Sequence, residues 1–396
     1  MNAPSRINST LDVRAQFPAV GDWHYLDSAA TAQKPQAVID AITNAYAHDY
    51  ATVHRGVYER SIIMTDAYEH ARAAAATLIG GQANELIFTR GATEAINLVA
   101  RTLPKEGRGR VLLSNLEHHS NIVPWQLAGY EVDAVPLTPD GQIDLDAAEA
   151  MLTKDHRVVA FAHVSNVLGS ILDAKRAAAI AHRQGALLLL DGCQAAPRLP
   201  VDVAGIGCDF YAFSGHKLYG PTGIGCLWGR SELLAQMPPW QGGGSMIDRV
   251  TFEGSTFLDP PARFEAGTPH IVGAIGLHAA LDWVGNLSLD AIHAHEVGLV
   301  AECRAALSAI PGIKLYGPED SAGIVSFNVD GVHAHDTATI LDDSAVAVRA
   351  GHHCAQPLME ILGVPATARA SFAAHSDSSD IAALVRGLEQ VKRIFG

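Results

Sequence analysis

Between residues 86 and 228 short apolar runs recur at regular intervals, and most stretches between them carry apolar positions at helical spacing. The runs at 86–89, 111–114, 132–136, 158–163, 186–190, 210–213 and 224–228 predict strands. Stretches 94–103, 145–152 and 174–183 predict helices, the second beginning at Asp144 or Leu145 and the third with Asp173 as a cap. Strands that are apolar throughout are covered on both faces, so the pattern predicts a mostly parallel, seven-stranded sheet between helical layers. A glycine-rich loop at 241–245 and further loop-like sequence lead to helical stretches at 271–284 and 289–309. Beyond them the pattern changes to strands at 313–316, 324–329, 345–349 and 368–372, with helices at 336–342 and 380–394. The expected architecture is α/β, a large domain with a smaller α+β domain after it.

Composition narrows the function classes. With 48% apolar and 18% charged residues, the 396-residue chain has the balance of a soluble globular protein. No apolar run is long enough for a membrane span, and MNAPSRINST lacks the basic-then-apolar order of a secretory signal, so a cytoplasmic location is expected. The net charge of −14 comes without a Lys/Arg cluster able to track phosphates, which disfavours nucleic acid as a partner. Five cysteines, odd in number and without a C-x-x-C pair, argue against a disulfide framework and against structural zinc; no metal is expected. Cys226 and Cys303 read as core residues, and Cys193 as a packing residue near Asp191. Only Cys354, in Gly351-His352-His353-Cys354 with Arg349 nearby, has neighbours suited to stabilising a thiolate.

Three residues carry the chemical reading. Asp191 ends the apolar run Leu187-Leu188-Leu189-Leu190, at the strand end where parallel-sheet folds bind ligands. Lys217 stands in Ser214-Gly215-His216-Lys217, after another strand and flanked by apolar sequence. A lone lysine is by default a surface residue and a lone aspartate a solvated turn. Together, however, an amine and a carboxylate match what pyridoxal phosphate requires: one group to condense with its aldehyde, one to keep its ring nitrogen protonated. Gly91-Ala92-Thr93-Glu94 opens a helix after a strand and offers backbone N–H groups and the Thr93 hydroxyl to a phosphate, although an ordinary helix start reads the same way. His118 and His119 are adjacent and so face different ways, which suits an imidazole stacked on an aromatic ring better than joint metal ligation.

Six segments then carry a resemblance, in this order along the chain: Tyr25-Leu26-Asp27-Ser28-Ala29-Ala30, Val53-His54-Arg55-Gly56, Glu117-His118-His119-Ser120-Asn121, Ser214-Gly215-His216-Lys217-Leu218-Tyr219-Gly220-Pro221, Arg263-Phe264-Glu265-Ala266-Gly267-Thr268-Pro269 and Arg349-Ala350-Gly351-His352-His353-Cys354. Together they resemble a SufS-type (group II) cysteine desulfurase, class V of the fold type I pyridoxal-phosphate enzymes, whose fold is aspartate-aminotransferase-like. The resemblance covers residues 12–396 and implies a large cofactor domain at 22–285, with 1–21 and 286–396 forming the smaller domain that carries Cys354.

The resemblance further implies that Lys217 holds pyridoxal 5'-phosphate as a Schiff base, Asp191 pairs with the ring nitrogen, Gln194 bonds the phenolic oxygen and His118 stacks on the ring. Thr93, Ser214 and His216 would hold the phosphate, with Thr268 reaching in from the second subunit of a homodimer. Asn166, Arg369 and Ala29 would bind L-cysteine, and Lys217, His118 and Cys354 would be catalytic. Relatives often carry a hydroxyl where this chain has Ala92. The implied activity converts L-cysteine to L-alanine and passes sulfur through Cys354 to an acceptor of the SufE or SufU type for iron–sulfur cluster assembly, with selenocysteine lyase activity as a variant. His333-Ala334-His335-Asp336 resembles a partner-contacting segment of the SufU-dependent branch, through His335; a helix-capping role for this segment is an equal alternative.

Overall fold

The computed structural model describes residues 11–395. Its centre is a seven-stranded sheet in the order Leu86–Thr89, Gly225–Gly229, Phe210–Ser214, Leu187–Asp191, His156–Ala162, Arg110–Ser114, Glu131–Val135. Only Gly225–Gly229 runs against its neighbours; the remaining adjacent pairs are parallel. The mostly parallel sheet expected from the apolar runs is therefore present.

Successive side chains of a strand point to opposite faces. Leu188, Leu190, Tyr211 and Phe213 enter one apolar core, while Leu189, Phe210 and Ala212 enter another across the sheet. Both faces are buried, which is why these strands read as unbroken apolar runs. The expected helix starts form as capping chemistry dictates: Asp144 Oδ1 accepts from the amides of Asp146 and Ala147, and Asp173 Oδ1 from that of Arg176.

A second, antiparallel sheet takes the order Ile313–Tyr316, Ile324–Val329, Thr367–Ser371, Arg349–Gly351. Here the expected single strand at 345–349 is corrected. Val346–Ala347 pairs in parallel with His24–Tyr25, and Arg349–Gly351 turns to pair with Thr367–Ser371. The local pattern could not reveal this, because one partner comes from the far N-terminal side of the chain. That side is shared: Val13, Phe17 and Val20 pack in the larger core, whereas Arg14 pairs with Asp380 at 3.0 Å.

Chain direction in the parallel strands gathers their C-terminal ends, Ala162, Asp191 and Ser214, along one edge. Asp27 bridges to Ser371, which brings the second sheet against that edge. The site lies in this seam.

Candidate active site

One pocket in the seam is lined by Ala29, Thr93, His118, Asn166, Asp191, Gln194, Ser214, His216, Lys217 and Arg369. All belong to the residues singled out in the sequence. Lys217 stands on the single helical turn Gly215–Lys217 directly after strand Phe210–Ser214, and Asp191 ends the neighbouring strand with its Oδ1 accepting from the Cys193 amide at 3.0 Å.

At one end of the pocket, helix Ala92–Thr102 begins after Gly91. The Ala92 amide donates to Ser214 Oγ at 2.9 Å, and the Thr93 and Ser120 hydroxyls lie 2.7 Å apart. His216 completes this corner, with its Nδ1 3.2 Å from the Thr31 hydroxyl. Burial and the charges of Lys217 and Lys34 push His216 down to about 4.

His118 Nδ1 accepts from the Ser120 amide at 3.0 Å, so its proton sits on Nε2. Burial, reinforced by Lys217, pushes its pKa down to about 4, and the ring is neutral near pH 7. Its neighbour His119 faces elsewhere. The His119 amide donates to Cys354 O at 2.7 Å, and its Nε2 accepts from the Gln356 amide at 3.1 Å. One histidine serves the pocket and the next pins the segment that carries the thiol.

That segment is short and tied down on three sides. Besides His119, Asn166 Nδ2 donates to His353 O at 2.7 Å, and His353 Nε2 lies 2.9 Å from the Thr367 hydroxyl. His353 and Cys354 both adopt left-handed backbone angles, with φ of 52° and 57°. Such angles cost a side-chain-bearing residue roughly 1–2 kcal/mol each, a strain the surrounding hydrogen bonds hold in place. Cys354 is half-buried, with its sulfur 4.0 Å from an Arg349 Nη2. Arg349 and His353 line the pocket, whereas Cys354 stands beside the residues that do.

Arg369 is fully buried. It donates to the Asn166 carbonyl at 2.7 Å and to Asp27 Oδ1 at 3.0 Å, while its Nε has no protein partner. Burial outweighs pairing at both ends, pushing Arg369 down to about 10 and Asp27 up. A buried guanidinium that keeps an unpartnered N–H is suited to a small carboxylate ligand.

Two expected residues lie elsewhere. Thr268 lines a separate hollow with Arg90, Gly223 and His270 in the same chain. His335 is exposed near the start of helix Ala334–Asp342, stacked on His333 with ring centres 5.3 Å apart. Three groups near the pocket were not anticipated in their roles. Glu117 is buried beneath it, bonded to Ser114, Asn121 and the Ala162 amide and pushed up to about 7 by burial. Cys193 lines the pocket, and burial holds its thiol up at about 12. Arg198 stands behind Gln194. Glu117 stood inside a quoted motif with no role of its own, and no sequence signal marked Arg198, whose counter-charge Glu296 lies about a hundred positions away.

The model of the class-V aminotransferase family matches residues 24–384. The chain belongs to this family. A cysteine desulfurase of Dickeya dadantii (strain 3937) is 47% identical, each protein being covered over 100% of its length. A probable cysteine desulfurase of Halalkalibacterium halodurans is 48% identical over 94% of both chains. Among solved structures, the cysteine desulfurase CsdA of Escherichia coli superposes with a TM-score of 0.91 at 40% identity, covering 97% of this chain and 98% of its own. The fold is thus the fold type I, aspartate-aminotransferase-like one, and the family's cofactor is pyridoxal phosphate.

The pocket's chemistry fits that cofactor as a member of this family requires. It offers an amine in Lys217, a carboxylate in Asp191, and a helix N-terminus with hydroxyls and an imidazole for a phosphate. The backbone there is closely fitted as well: a Cβ at Gly91 would come within 3.2 Å of Ser214 Oγ. Among the described residues no helix is long and apolar enough to cross a membrane.

Proposed function

We propose that this chain removes sulfur from L-cysteine, releasing L-alanine and storing the sulfur on Cys354. The observation that carries the reading is the tethered, strained segment bearing Cys354 beside Arg349, next to a pocket that holds Lys217 and Asp191. Relatives named cysteine desulfurase or probable cysteine desulfurase over 94–100% of the chain support it.

Bound pyridoxal phosphate supplies an aldehyde that condenses with amines and a ring that accepts electrons from the substrate's Cα. Asp191 would keep a proton at the ring nitrogen, which makes the ring a better acceptor. Thr93, Ser214 and His216 would hold the phosphate, His118 would lie on the ring, and Gln194 would donate to the phenolic oxygen. Arg369, a cation lining the pocket, would take the substrate carboxylate, helped by Asn166 and by the backbone at Ala29. Lys217 would remove the Cα proton, a general-base contribution of roughly 10²–10⁴-fold. The Cys354 thiolate would then attack the substrate sulfur. An S–S bond forms, the Cβ–S pair stays with the carbon fragment, and two protons give alanine, one to Cβ and the one Lys217 took back to Cα. His118, neutral and with its proton on Nε2, would supply the proton for Cβ or for the departing group.

The finer points belong to the same proposal. Residues 22–285 form the cofactor domain and, of the described residues, 11–21 with 286–395 the smaller one, its N-terminal stretch also reaching the larger core through Val13, Phe17 and Val20; residues 1–10 and 396 of that division lie outside the described residues. Two copies form a homodimer in which Thr268 of one subunit completes the phosphate site of the other. Exposed apolar side chains such as Val57, Tyr58, Ile62, Ile63 and Phe252 support such an interface. The persulfide passes to a SufE- or SufU-type acceptor that meets His335, feeding iron–sulfur assembly in the cytoplasm; selenocysteine serves as a second substrate.

The test measures alanine and sulfide from L-cysteine, with and without candidate acceptors, for wild type and Cys354→Ala. The variant should keep the cofactor's absorbance and release neither product above background. Desulfuration at the wild-type rate without Cys354 would remove the acceptor role.

A further inference from the structure

Gln194 is held from two sides by groups that leave no choice of orientation. Arg198 Nη1 lies 2.8 Å from one end of the Gln194 amide, and the Ala29 carbonyl lies 2.8 Å from the other. A guanidinium only donates, so the end facing it is the oxygen; a carbonyl only accepts, so the end facing Ala29 is the nitrogen. Gln194 Nε2 uses one N–H on Ala29 and has a second to offer in the pocket that it lines.

Arg198 is itself fixed. Its Nε lies 3.0 Å from Glu296 Oε2, both side chains are 3% exposed or less, and its Nη1 also donates to the Gln194 carbonyl at 3.1 Å. Glu296 comes from helix Leu289–Ser308, outside the segment that bears the pocket's strands. Space for the pair exists because residue 323 is glycine with φ of 63°: a Cβ there would fall 2.3 Å from Glu296 Oε2 and 2.7 Å from Arg198 Nε. Such a buried pair is a costly element.

We propose that Arg198, seated by Glu296, is a positioning residue that turns the Gln194 amide nitrogen toward the phenolic oxygen of the cofactor. The proposal rests on the assignment of Gln194 to that oxygen. A donated hydrogen bond favours the charged phenolate over the neutral phenol. Freed from Arg198, the amide can turn its oxygen inward and the preference is lost.

The experiment records the visible spectrum of the cofactor-saturated protein at fixed pH, with bound pyridoxal phosphate quantified after release. Arg198→Met should shift the bound cofactor from its long-wavelength form toward the short-wavelength form by about tenfold in their ratio, the size expected of one charged hydrogen bond. Gln194→Met should do the same, and the two changes together should go no further, because they break one interaction. Arg198→Met leaves buried Glu296 without its counter-charge; should that variant not fold, the pair Arg198→Met/Glu296→Met removes both charges and should give the same spectrum. An unchanged ratio in a folded variant, or effects that multiply in the Gln194→Met background, overturns the positioning role. Failure of the underlying assignment looks different: Gln194→Met alone then leaves the spectrum unaltered.

Discussion

At the scale of single residues, the pocket separates groups by the state its surroundings impose. Cys193 and Cys354 are both near the cofactor site, yet burial and Asp191 hold the Cys193 thiol up at about 12, whereas Cys354 is half-buried beside Arg349. Arg369 makes a prediction for the substrate. It is a buried cation lining the pocket, so Arg369→Met should raise KM for L-cysteine about 10–100-fold, the cost of a lost charged hydrogen bond. Steady-state kinetics with the cofactor spectrum as a control checks this; a change confined to kcat would point to another role. Lys217, Asp191, Gln194 and Cys354 were legible from residue type and motif. Glu117, Arg198 and the second role of His119 were not, because a buried carboxylate or guanidinium is indistinguishable in sequence from a solvated one.

At the scale of elements, two close approaches decide whether the site assembles. A Cβ on Gly225 would come within 2.5 Å of Gly91 Cα and 2.6 Å of the Phe213 carbonyl. Backbone cannot yield as a side-chain tip can, so Gly225→Ala should displace the start of helix Ala92–Thr102 and weaken cofactor retention at least about tenfold, measured by equilibrium dialysis. The second approach closes the sheet's edge. Glu265 accepts from the Phe88 amide at 2.7 Å and pairs with buried Arg72, which also donates to the Leu86 carbonyl. An edge strand otherwise exposes unpaired backbone groups. Glu265→Ala leaves the Phe88 amide unpaired and buried Arg72 with Glu69 as its remaining counter-charge, and should cost about 1–3 kcal/mol, read as a fall in the urea midpoint. The sequence placed Glu265 inside a motif but not against an edge strand some 180 positions away. The split of the expected strand at 345–349 has the same origin, since His24–Tyr25 supplies a pairing partner from outside the local pattern.

At the scale of the molecule, buried histidines dominate the pH dependence. Burial pushes His118, His163 and His216 down to about 4, and His353 and His375 down to about 3. Each is depressed below its unfolded value, so the unfolded chain binds more protons and stability is lost as pH falls from about 6.5 toward 4. Glu117 and Glu296, both pushed up to about 7, act oppositely and lose stability as pH rises from about 4.5 to 7. The histidines outnumber them, so the melting temperature should fall between pH 6.5 and 4.5; a rise over that interval would show that these rings ionise in the folded state.

From the chain alone came the parallel sheet, the helix starts, the amine–carboxylate pair and the thiol with its basic neighbours. Those features follow from local periodicity, capping chemistry and residue type, which act over a few positions. Tertiary structure alone decided which way Gln194 faces, why His119 follows His118, and where Arg72 and Glu296 find their counter-charges. Each depends on a contact between segments tens to hundreds of residues apart, where burial fixes the state of a polar group and no nearby sequence records it.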